Sequence, residues 1–466
     1  MAIPHPRCRC VSGVLTEILE EKNMYLNHNE QICACGKVHQ CALERVIVGK
    51  GVLAQLPEEI RRHGYRKVFV LADANTFAAA GEHVQALLAK EEIPFAKYVY
   101  ANSPEPDEAA VGAAVMHFDR ACDLVLAVGS GVIGDISKIL ASVSGAAYMI
   151  VATAPSMDGY ASATSSMTRN GLKVSIPSKS AGVIIGDVDI LKNAPMEMLV
   201  SGLGDMLAKY ISIAEWRISH IVTGEYYCET VADAIRKSLA KCVQNADGLL
   251  QRDEIAVQAV FEGLVAAGAA MSYAGTSRPA SGVEHYFSHL WDMRGVEFGE
   301  KVSTHGIQCA VGTLIAARLY EGMQQISPDR EKGLAYAQGF DKQAWFAELA
   351  AFLGNGADDM IALDAKEQKY AVEKHAERLE RIIEHWDVLT EIMKEEIPTA
   401  AFIAALLDKI GCPKTVEAWG LSPKILPMTF KSTKDIRDKY VLSRLAFDLG
   451  ILEETAALCN GEEQGA

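Results

Sequence analysis

The sequence predicts an α/β domain with a parallel sheet, followed by an all-helical domain, and three observations lead to this fold class. Short apolar strands alternate with amphipathic helices between residues 44 and 192. One of these strands runs directly into the glycine-rich segment GSGVIGD. From about Pro195 onward the apolar residues recur with a helical period almost to the end of the chain. Strands and helices that alternate at this spacing are typical of a parallel sheet with helices on both faces.

Strands are predicted where a short apolar run is bounded by turn residues, and helices where apolar residues recur every three to four positions. The predicted strands are 46–48, 67–72, 95–100, 124–128 and 148–152. The predicted helices are 14–22, 52–62, 78–90, 107–118 and one that follows GSGVIGD through residue 139. Segments 174–177 and 183–186 are candidate strands of a hairpin. These elements predict three regions, namely a Cys-rich extension (1–43), a nucleotide-binding domain (44–192) and a helical domain (193–466).

Composition excludes some classes of protein. Half of the 466 residues are hydrophobic, which is enough for a sizeable core, and the formal net charge is −15. This acidic balance argues against a nucleic-acid partner, which requires a basic face, but leaves a small phosphorylated substrate open. The N-terminus lacks the apolar stretch of a signal peptide, and no run of about 20 apolar residues is present. The sequence therefore predicts a cytoplasmic protein without a membrane span.

The segment GSGVIGD is the first candidate binding motif. Gly129, Gly131 and Gly134 follow an apolar strand and open a helix. Such glycines let the backbone approach a pyrophosphate, and the helix N-terminus supplies N–H donors. A tight strand-to-helix turn without a ligand is the alternative. Asp73, at the end of an earlier strand, fits either a contact with a ribose diol, which favours NAD over NADP, or the N-cap of the next helix.

A polar loop, TAPSMDG, follows the strand after that helix. Ligands bind at such strand ends in open α/β sheets. Thr153 and Ser156 are candidate contacts of a cofactor's phosphate or nicotinamide, and Asp158 is a candidate contact of a substrate hydroxyl. In the absence of a ligand, the same side chains would form turns and loop hydrogen bonds.

Three separated segments carry candidate metal ligands in apolar surroundings. VSGLGDMLAKY contributes Asp205, SGVEHYFSHL contributes His285 and His289, which are one helical turn apart, and STHGIQ contributes His305. One Asp and two His can hold a divalent metal and leave a position for substrate, as catalytic sites do. The alternatives are a surface ion pair between Asp205 and Lys209, and histidines that are buried in a core without a metal.

The cysteines form a second candidate metal site. There are eleven, an odd number, which indicates free thiols rather than a disulfide framework in a chain without a predicted signal peptide. The segment CACGKVHQC, which includes His39, has donors that a soft metal such as zinc prefers. Free, reduced thiols are the alternative. The cysteines of the N-terminal extension are Cys8, Cys10, Cys33, Cys35 and Cys41.

Together, GSGVIGD, TAPSMDGYASATSS, GLGDMLAKY, SGVEHYFSH and THGIQ resemble the motifs of the superfamily of iron-containing alcohol dehydrogenases, glycerol dehydrogenases and dehydroquinate synthases. Within it they are most similar to those of the sn-glycerol-1-phosphate dehydrogenase family. The resemblance extends over about residues 44–450, including DIRDKYVLSRLAFDLG. It implies a Rossmann-like N-terminal domain, an all-helical C-terminal domain, an active site in the cleft between them, and a homo-oligomer that is a dimer or larger.

The resemblance also implies roles for individual residues. Asp205, His285 and His305 match the ligands of one divalent metal, zinc or nickel, while His289 and Asp158 match substrate contacts. Lys209 is a candidate for binding the substrate phosphate because of its charge. The residues that match NAD or NADP contacts are Asp73, Gly129, Gly131, Val132, Ile133, Gly134, Asp135, Thr153, Ser156 and Ser162.

The implied activity is the interconversion of dihydroxyacetone phosphate and sn-glycerol 1-phosphate by hydride transfer between C2 and a nicotinamide. A metal would act as a Lewis acid on the C2 oxygen, and His289 and Asp158 would orient the substrate and relay a proton. Three alternatives remain open, namely a glycerol dehydrogenase with an unphosphorylated substrate, a lyase similar to dehydroquinate synthase, and a non-enzymatic metal-binding protein.

Overall fold

The computed structural model describes residues 24–25, 32–169 and 172–460. The predicted helix 14–22 lies outside these residues, as do Cys8 and Cys10. The chain divides into two compact units, of which the first comprises Met1–Met206 and Cys228–Pro279 and the second comprises Leu207–Tyr227 and Ala280–Ala466. The three predicted domains stay predictions.

A twisted sheet forms the centre of the first unit. The strands in chain order are β1 (Met24–Tyr25), β2 (Arg45–Gly49), β3 (Val68–Asp73), β4 (Phe95–Tyr100), β5 (Leu124–Gly129), β6 (Ala147–Ala152), β7 (Thr164–Arg169), β8 (Leu172–Pro177) and β9 (Val183–Asp187). Seven of them form a sheet in the order β1-β2-β9-β6-β5-β3-β4. All neighbours in it are parallel except β1 and β2. The remaining two strands, β7 and β8, form an antiparallel pair.

Helices alternate with the strands, and every described element after β9 is helical. The α-helices of four or more residues up to residue 274 are α1 (Leu56–Arg62), α2 (Glu82–Lys90), α3 (Glu108–His117), α4 (Gly131–Ser144), α5 (Val188–Leu191), α6 (Met196–Leu207), α7 (Lys209–Thr223), α8 (Glu229–Gln244) and α9 (Glu254–Ala274). The later ones are α10 (Val283–Phe298), α11 (His305–Met323), α12 (Arg330–Gly339), α13 (Lys342–Leu353), α14 (Gly356–Glu367), α15 (Val372–Glu384), α16 (Trp386–Glu396), α17 (Ala400–Lys409), α18 (Leu426–Thr433), α19 (Leu442–Asp448) and α20 (Leu452–Ala457). Every described element of the second unit is therefore helical.

The central parallel strands are continuous apolar runs because helices cover both faces of the sheet. Every residue of β2, β3, β5 and β9 is buried. Ile47, Val70, Leu126, Val151 and Ile185 belong to one apolar cluster, in which each is at most 1% exposed. A parallel sheet that is buried on both sides produces this pattern in the sequence.

The strand and helix predictions for residues 46–152 are confirmed, with small differences at the ends. The predicted helix 52–62 begins as a 3-10 turn, Val52–Gln55, before α1, and the helix after GSGVIGD continues to Ser144 instead of ending at residue 139.

Both candidate strands, 174–177 and 183–186, are confirmed, but their pairing as a hairpin is wrong. Segment 174–177 lies in β8, which pairs with β7, whereas β9 joins the main sheet between β2 and β6. The prediction missed β7 because its sequence, TSSMTR, is mostly polar. β9 is buried over its whole length, so its backbone groups need partners on both sides, and a two-stranded hairpin cannot supply them.

The strand order creates a crevice at the carboxyl ends of β3 and β5. From β3 the chain moves outward to β4 and then returns to place β5 on the opposite side of β3. Ligands of open α/β sheets bind where the strand order reverses in this way. The carboxyl ends of β5 and β6 lie side by side, since Gly129 pairs with Ala152. The glycine-rich segment and the TAPSMDG loop therefore start next to each other.

Among the residues that the structure describes, one helix, α9, is long and apolar enough by composition to span a membrane. However, 78% of its apolar window is buried inside the structure. A largely buried helix of this kind is typical of the core of a folded unit.

Candidate active site

The first turn of α4 has no side-chain cap at its N-terminus. Ser130 is its N-cap, but the Ser130 hydroxyl makes no cap bond to the helix; it bonds to Ser156 Oγ at 2.5 Å and Tyr160 Oη at 3.1 Å. The N–H groups of the first helical turn are consequently not capped by that side chain. Val132, in this turn, is 37% exposed. Helix N-termini with exposed N–H groups attract phosphates through those donors and the helix dipole.

Asp73 is the N-cap of the short helix Ala74–Thr76 that follows β3. Its Oδ1 accepts a hydrogen bond from Thr76 N at 2.8 Å, and its own N–H donates to Thr76 Oγ1 at 3.0 Å. The N-cap interpretation is therefore confirmed. The other carboxylate oxygen accepts only a long bond of 3.4 Å from Ser103 Oγ. The ribose contact stays a prediction, and the capping bonds do not preclude it.

Lys138 ties α4 to the loop after β6, and the sequence analysis missed it. Its side chain is almost fully buried, and Nζ donates to Gly159 O at 2.6 Å, Thr164 O at 3.1 Å and Ser162 Oγ at 3.2 Å. Asp135 Oδ1 lies 3.3 Å from the same ammonium. Ser162 and Asp135, both predicted cofactor contacts, are thus parts of one network that fixes the loop. Lys138 lies three residues after Asp135 on α4, and this helical spacing was the available signal.

The TAPSMDG loop is held on α6 by three close contacts. Asp158 N donates to Asp205 Oδ2 at 2.9 Å, and Ser201 Oγ donates to Ser156 O at 3.0 Å. Gly202 lies so near the loop that an added Cβ would come within 1.8 Å of Pro155 O. Gly202, the first glycine of GLGD, therefore permits a backbone approach that any side chain would prevent. The structure brings Asp158 and Asp205 together through this contact, and both are buried.

In the second unit, α10 and α11 bring His285, His289 and His305 together. The ring centroids of His285 and His305 are 5.1 Å apart, and His289 lies 6.4 Å from the first and 6.1 Å from the second. His285 Nδ1 is 2.8 Å from Glu284 Oε1, and His305 Nδ1 is 3.1 Å from Ser288 Oγ. An oxygen partner on Nδ1 fixes the ring, so that Nε2 is the nitrogen with which each imidazole would bind a metal.

A thiol that the sequence analysis missed lies beside these two rings. Cys309 Sγ is 3.7 Å from His305 Nε2, and one ligand atom each of His285, His305 and Cys309 lie within 4.8 Å of one another. Burial by itself would raise the pKa of the Cys309 thiol, but the two neighbouring histidines lower it below the ordinary value. Cys309 is four residues after His305 on α11, and this helical spacing was the available signal.

Lys209, the first residue of α7, is fully buried, and its Nζ donates to Ala280 O at 3.0 Å. Asp205 is also fully buried. The alternative of a surface ion pair between these two residues is therefore wrong. The role of Lys209 towards a phosphate stays a prediction.

Comparisons with known proteins agree with this architecture. A family model described as iron-containing alcohol dehydrogenase matches residues 47–195. The chain is 32% identical over 294 residues to a glycerol-1-phosphate dehydrogenase (NAD(P)+) of Halalkalibacterium halodurans, covering 62% of this chain and 74% of the relative. It is also 32% identical to the enzyme of that name from Pyrococcus furiosus, covering 59% of this chain and 78% of the relative.

Among solved structures, an iron-containing alcohol dehydrogenase from Thermococcus thioreducens superposes with a TM-score of 0.58. The match covers 91% of this chain and 100% of the other at 14% identity, so it supports the fold alone. The predicted fold class, a parallel-sheet region followed by helices, is confirmed. The identity to the curated relatives extends over about three quarters of their length, and the chain belongs to the glycerol-1-phosphate dehydrogenase family, among the iron-containing alcohol dehydrogenases.

Proposed function

We propose that this protein is a metal-dependent oxidoreductase that interconverts dihydroxyacetone phosphate and sn-glycerol 1-phosphate with NAD or NADP. The observation that carries the proposal is the pair of histidines, His285 and His305, each oriented by an oxygen partner on Nδ1, in a chain of this family. Histidines that only pack in a core, or that contact a nucleotide, do not need an oxygen partner on each Nδ1.

The proposed metal ligands are Asp205, His285 and His305. Their nitrogen and oxygen donors suit a divalent ion such as zinc or nickel. The buried carboxylate of Glu284 beside His285 fits the outer partner that metal-binding histidines commonly have. When bound, the ion would supply Lewis acidity to the C2 oxygen of the substrate and favour its ionised form.

The proposed cofactor site is the crevice at β3 and β5. The uncapped first turn of α4 would bind the pyrophosphate, and Asp73 at the end of β3 would accept bonds from a ribose diol. Thr153, Ser156 and Ser162 belong to the loop that begins beside GSGVIGD. These loop residues and the residues of GSGVIGD are proposed to complete the contacts with the dinucleotide.

The chain's own residues would position the substrate and handle its proton. Asp158, fixed through its backbone bond to Asp205, is proposed to hold a substrate hydroxyl. His289 is half-buried one turn after His285, where it can orient the substrate and exchange a proton at the C2 oxygen. Lys209 is proposed to contact the substrate phosphate, and this proposal is based on the charge of Lys209 alone.

The glutamate beside His285 provides a test of the metal site that does not depend on turnover. Glu284→Gln should weaken zinc binding by about ten- to a hundredfold, because an outer carboxylate partner makes the imidazole a better donor and fixes its orientation. Competition with a chromophoric chelator on apoprotein measures the affinity. The matched control is Glu297→Gln on the same helix, where the carboxylate contacts Asn355. Equal zinc affinity of the two variants would contradict the proposed role of Glu284.

The substrate is tested by NADH and NADPH oxidation with dihydroxyacetone phosphate, and with dihydroxyacetone in parallel, after chelation and re-addition of zinc or nickel. We expect metal-dependent turnover with a kcat/KM about a hundredfold or more higher for the phosphorylated ketone. One or two charge-assisted bonds to the phosphate contribute roughly 1.5–3 kcal/mol each, and 1.4 kcal/mol corresponds to a factor of ten.

Preference for dihydroxyacetone would instead assign a glycerol dehydrogenase. Turnover that survives complete metal removal would contradict the metal-dependent scheme altogether. Addition of sn-glycerol 1-phosphate and its enantiomer to the reverse reaction then determines the stereochemistry at C2.

A further inference from the structure

Four side chains with soft or borderline donors converge in the first unit, and none of them has a part in the proposed reaction. Cys33, Cys35 and His39 come from the segment before β2, and Cys228 is the residue before α8. Their ligand atoms all lie within 4.8 Å of one another. Cys33 is 3% exposed, His39 6% and Cys228 1%.

We propose that this cluster is a structural zinc site of the Cys3His type. The distances are Cys33 Sγ to Cys228 Sγ 3.7 Å, Cys35 Sγ to His39 Nε2 3.3 Å, and Cys228 Sγ to His39 Nε2 3.5 Å. A tetrahedron with zinc–sulfur bonds of about 2.3 Å and a zinc–nitrogen bond of about 2.0 Å has sulfur–sulfur edges of roughly 3.8 Å and sulfur–nitrogen edges of roughly 3.5 Å. The observed separations match the edges of that tetrahedron.

The backbone around Cys33 and Cys35 forms a tight turn that directs both thiols to one side. Cys33 N donates to Lys37 O at 2.9 Å, and Gly36 N donates to Cys33 O at 2.8 Å. Gly36 has φ +83°, a left-handed conformation that a side chain disfavours. Ile32 and Val38 close the turn through a β-bridge.

The histidine is oriented for metal binding by a contact behind it. His39 Nδ1 is 2.8 Å from Tyr273 O on α9, so the ring offers Nε2 to the cluster. The site therefore joins the segment 32–39 to the start of α8 and the end of α9. Four protein ligands fill the coordination sphere of zinc, and such closed sites stabilise folds rather than catalyse reactions.

The structure changes the ligand set that the sequence analysis considered. Cys41 is buried but is not a member of the group, and Cys228 takes its place as the fourth donor. Cys228 lies 189 residues after His39, so local spacing did not point to it. A site that joins such distant residues closes a long loop, and metal binding there stabilises the fold directly.

The test is the metal content of purified full-length protein, prepared under reducing conditions and dialysed against metal-free buffer, by plasma mass spectrometry. His285→Ala, which removes the proposed reaction metal, should still retain one zinc per chain, and adding Cys33→Ser should remove it. The matched control is Cys242→Ser, at a buried thiol on α8 that bonds to Ala259 O, and it should retain that zinc. Because the retained zinc is measured in the His285→Ala protein, the result does not depend on the proposed reaction.

Unchanged zinc content after Cys33→Ser overturns the proposal. If the Cys33→Ser variant fails to fold, the absorption spectrum of cobalt-substituted His285→Ala protein tests the proposal instead. Three thiolates around tetrahedral cobalt produce intense thiolate-to-metal charge-transfer absorption, and its absence would overturn the assignment as well.

Discussion

Replacing His285 with alanine is expected to remove the reaction metal and to lower kcat/KM by about a thousandfold or more. A Lewis-acid metal supplies several kcal/mol of transition-state stabilisation, and about 4 kcal/mol corresponds to a factor of a thousand. The change also leaves the fully buried Glu284 carboxylate without its imidazole partner at Nδ1. We therefore expect a lower unfolding temperature in addition to the loss of metal. Metal analysis, steady-state kinetics and thermal unfolding of the same preparation measure the three effects.

The matched control is His220→Ala, at an exposed histidine of α7 in the same unit that bonds to Glu225 O. This variant should keep its metal and its activity, because an exposed bond of this kind contributes little. Activity at the wild-type level in metal-free His285→Ala protein would contradict the proposed mechanism. Such a result would favour the alternative interpretation, in which these histidines are buried in a core without a metal.

The central sheet could be predicted because its strands carry their structure in their local sequence. A run such as Leu124–Gly129 is apolar throughout and is bounded by turn residues, which is the pattern of a parallel strand buried on both faces. The capping role of Asp73 was also local, since its partner is Thr76, three residues later.

Pairing between distant segments could not be predicted in the same way. β9 was misassigned because its partners, β2 and β6, are remote in the sequence. β7 was missed for a different reason, since its partner β8 is its neighbour in the chain but its own sequence is mostly polar. Contacts between remote segments also limited the prediction of the functional residues. The histidines were found from their motifs, whereas Cys228 and the loop that Lys138 holds meet their partners only when segments apart in the sequence come together.

The second prediction concerns Gly202, the first glycine of GLGD, whose replacement should lower the stability of the protein. Gly202→Ala should lower the free energy of unfolding by about 3 kcal/mol, even though alanine is the better helix former by about 1 kcal/mol. The added Cβ would lie 1.8 Å from Pro155 O and 2.8 Å from Pro155 C, so the backbone of the loop or of α6 must move. Reversible urea unfolding of the purified variant measures the change.

The loop that must move also carries Asp158, whose N–H bonds to Asp205. A displacement of about 1 Å at reacting groups can reduce a rate about a hundredfold, so the folded fraction of Gly202→Ala should lose activity by a similar factor. The matched control is Gly112→Ala, at an exposed glycine within α3 where an added Cβ meets nothing within 4 Å. That change should raise stability by about 0.5–1 kcal/mol, because only the helix preference acts there. The two substitutions add the same methyl group inside a helix, and opposite signs of the stability change would therefore isolate the contact with Pro155. Stabilisation by both would mean that the loop does not need this close approach.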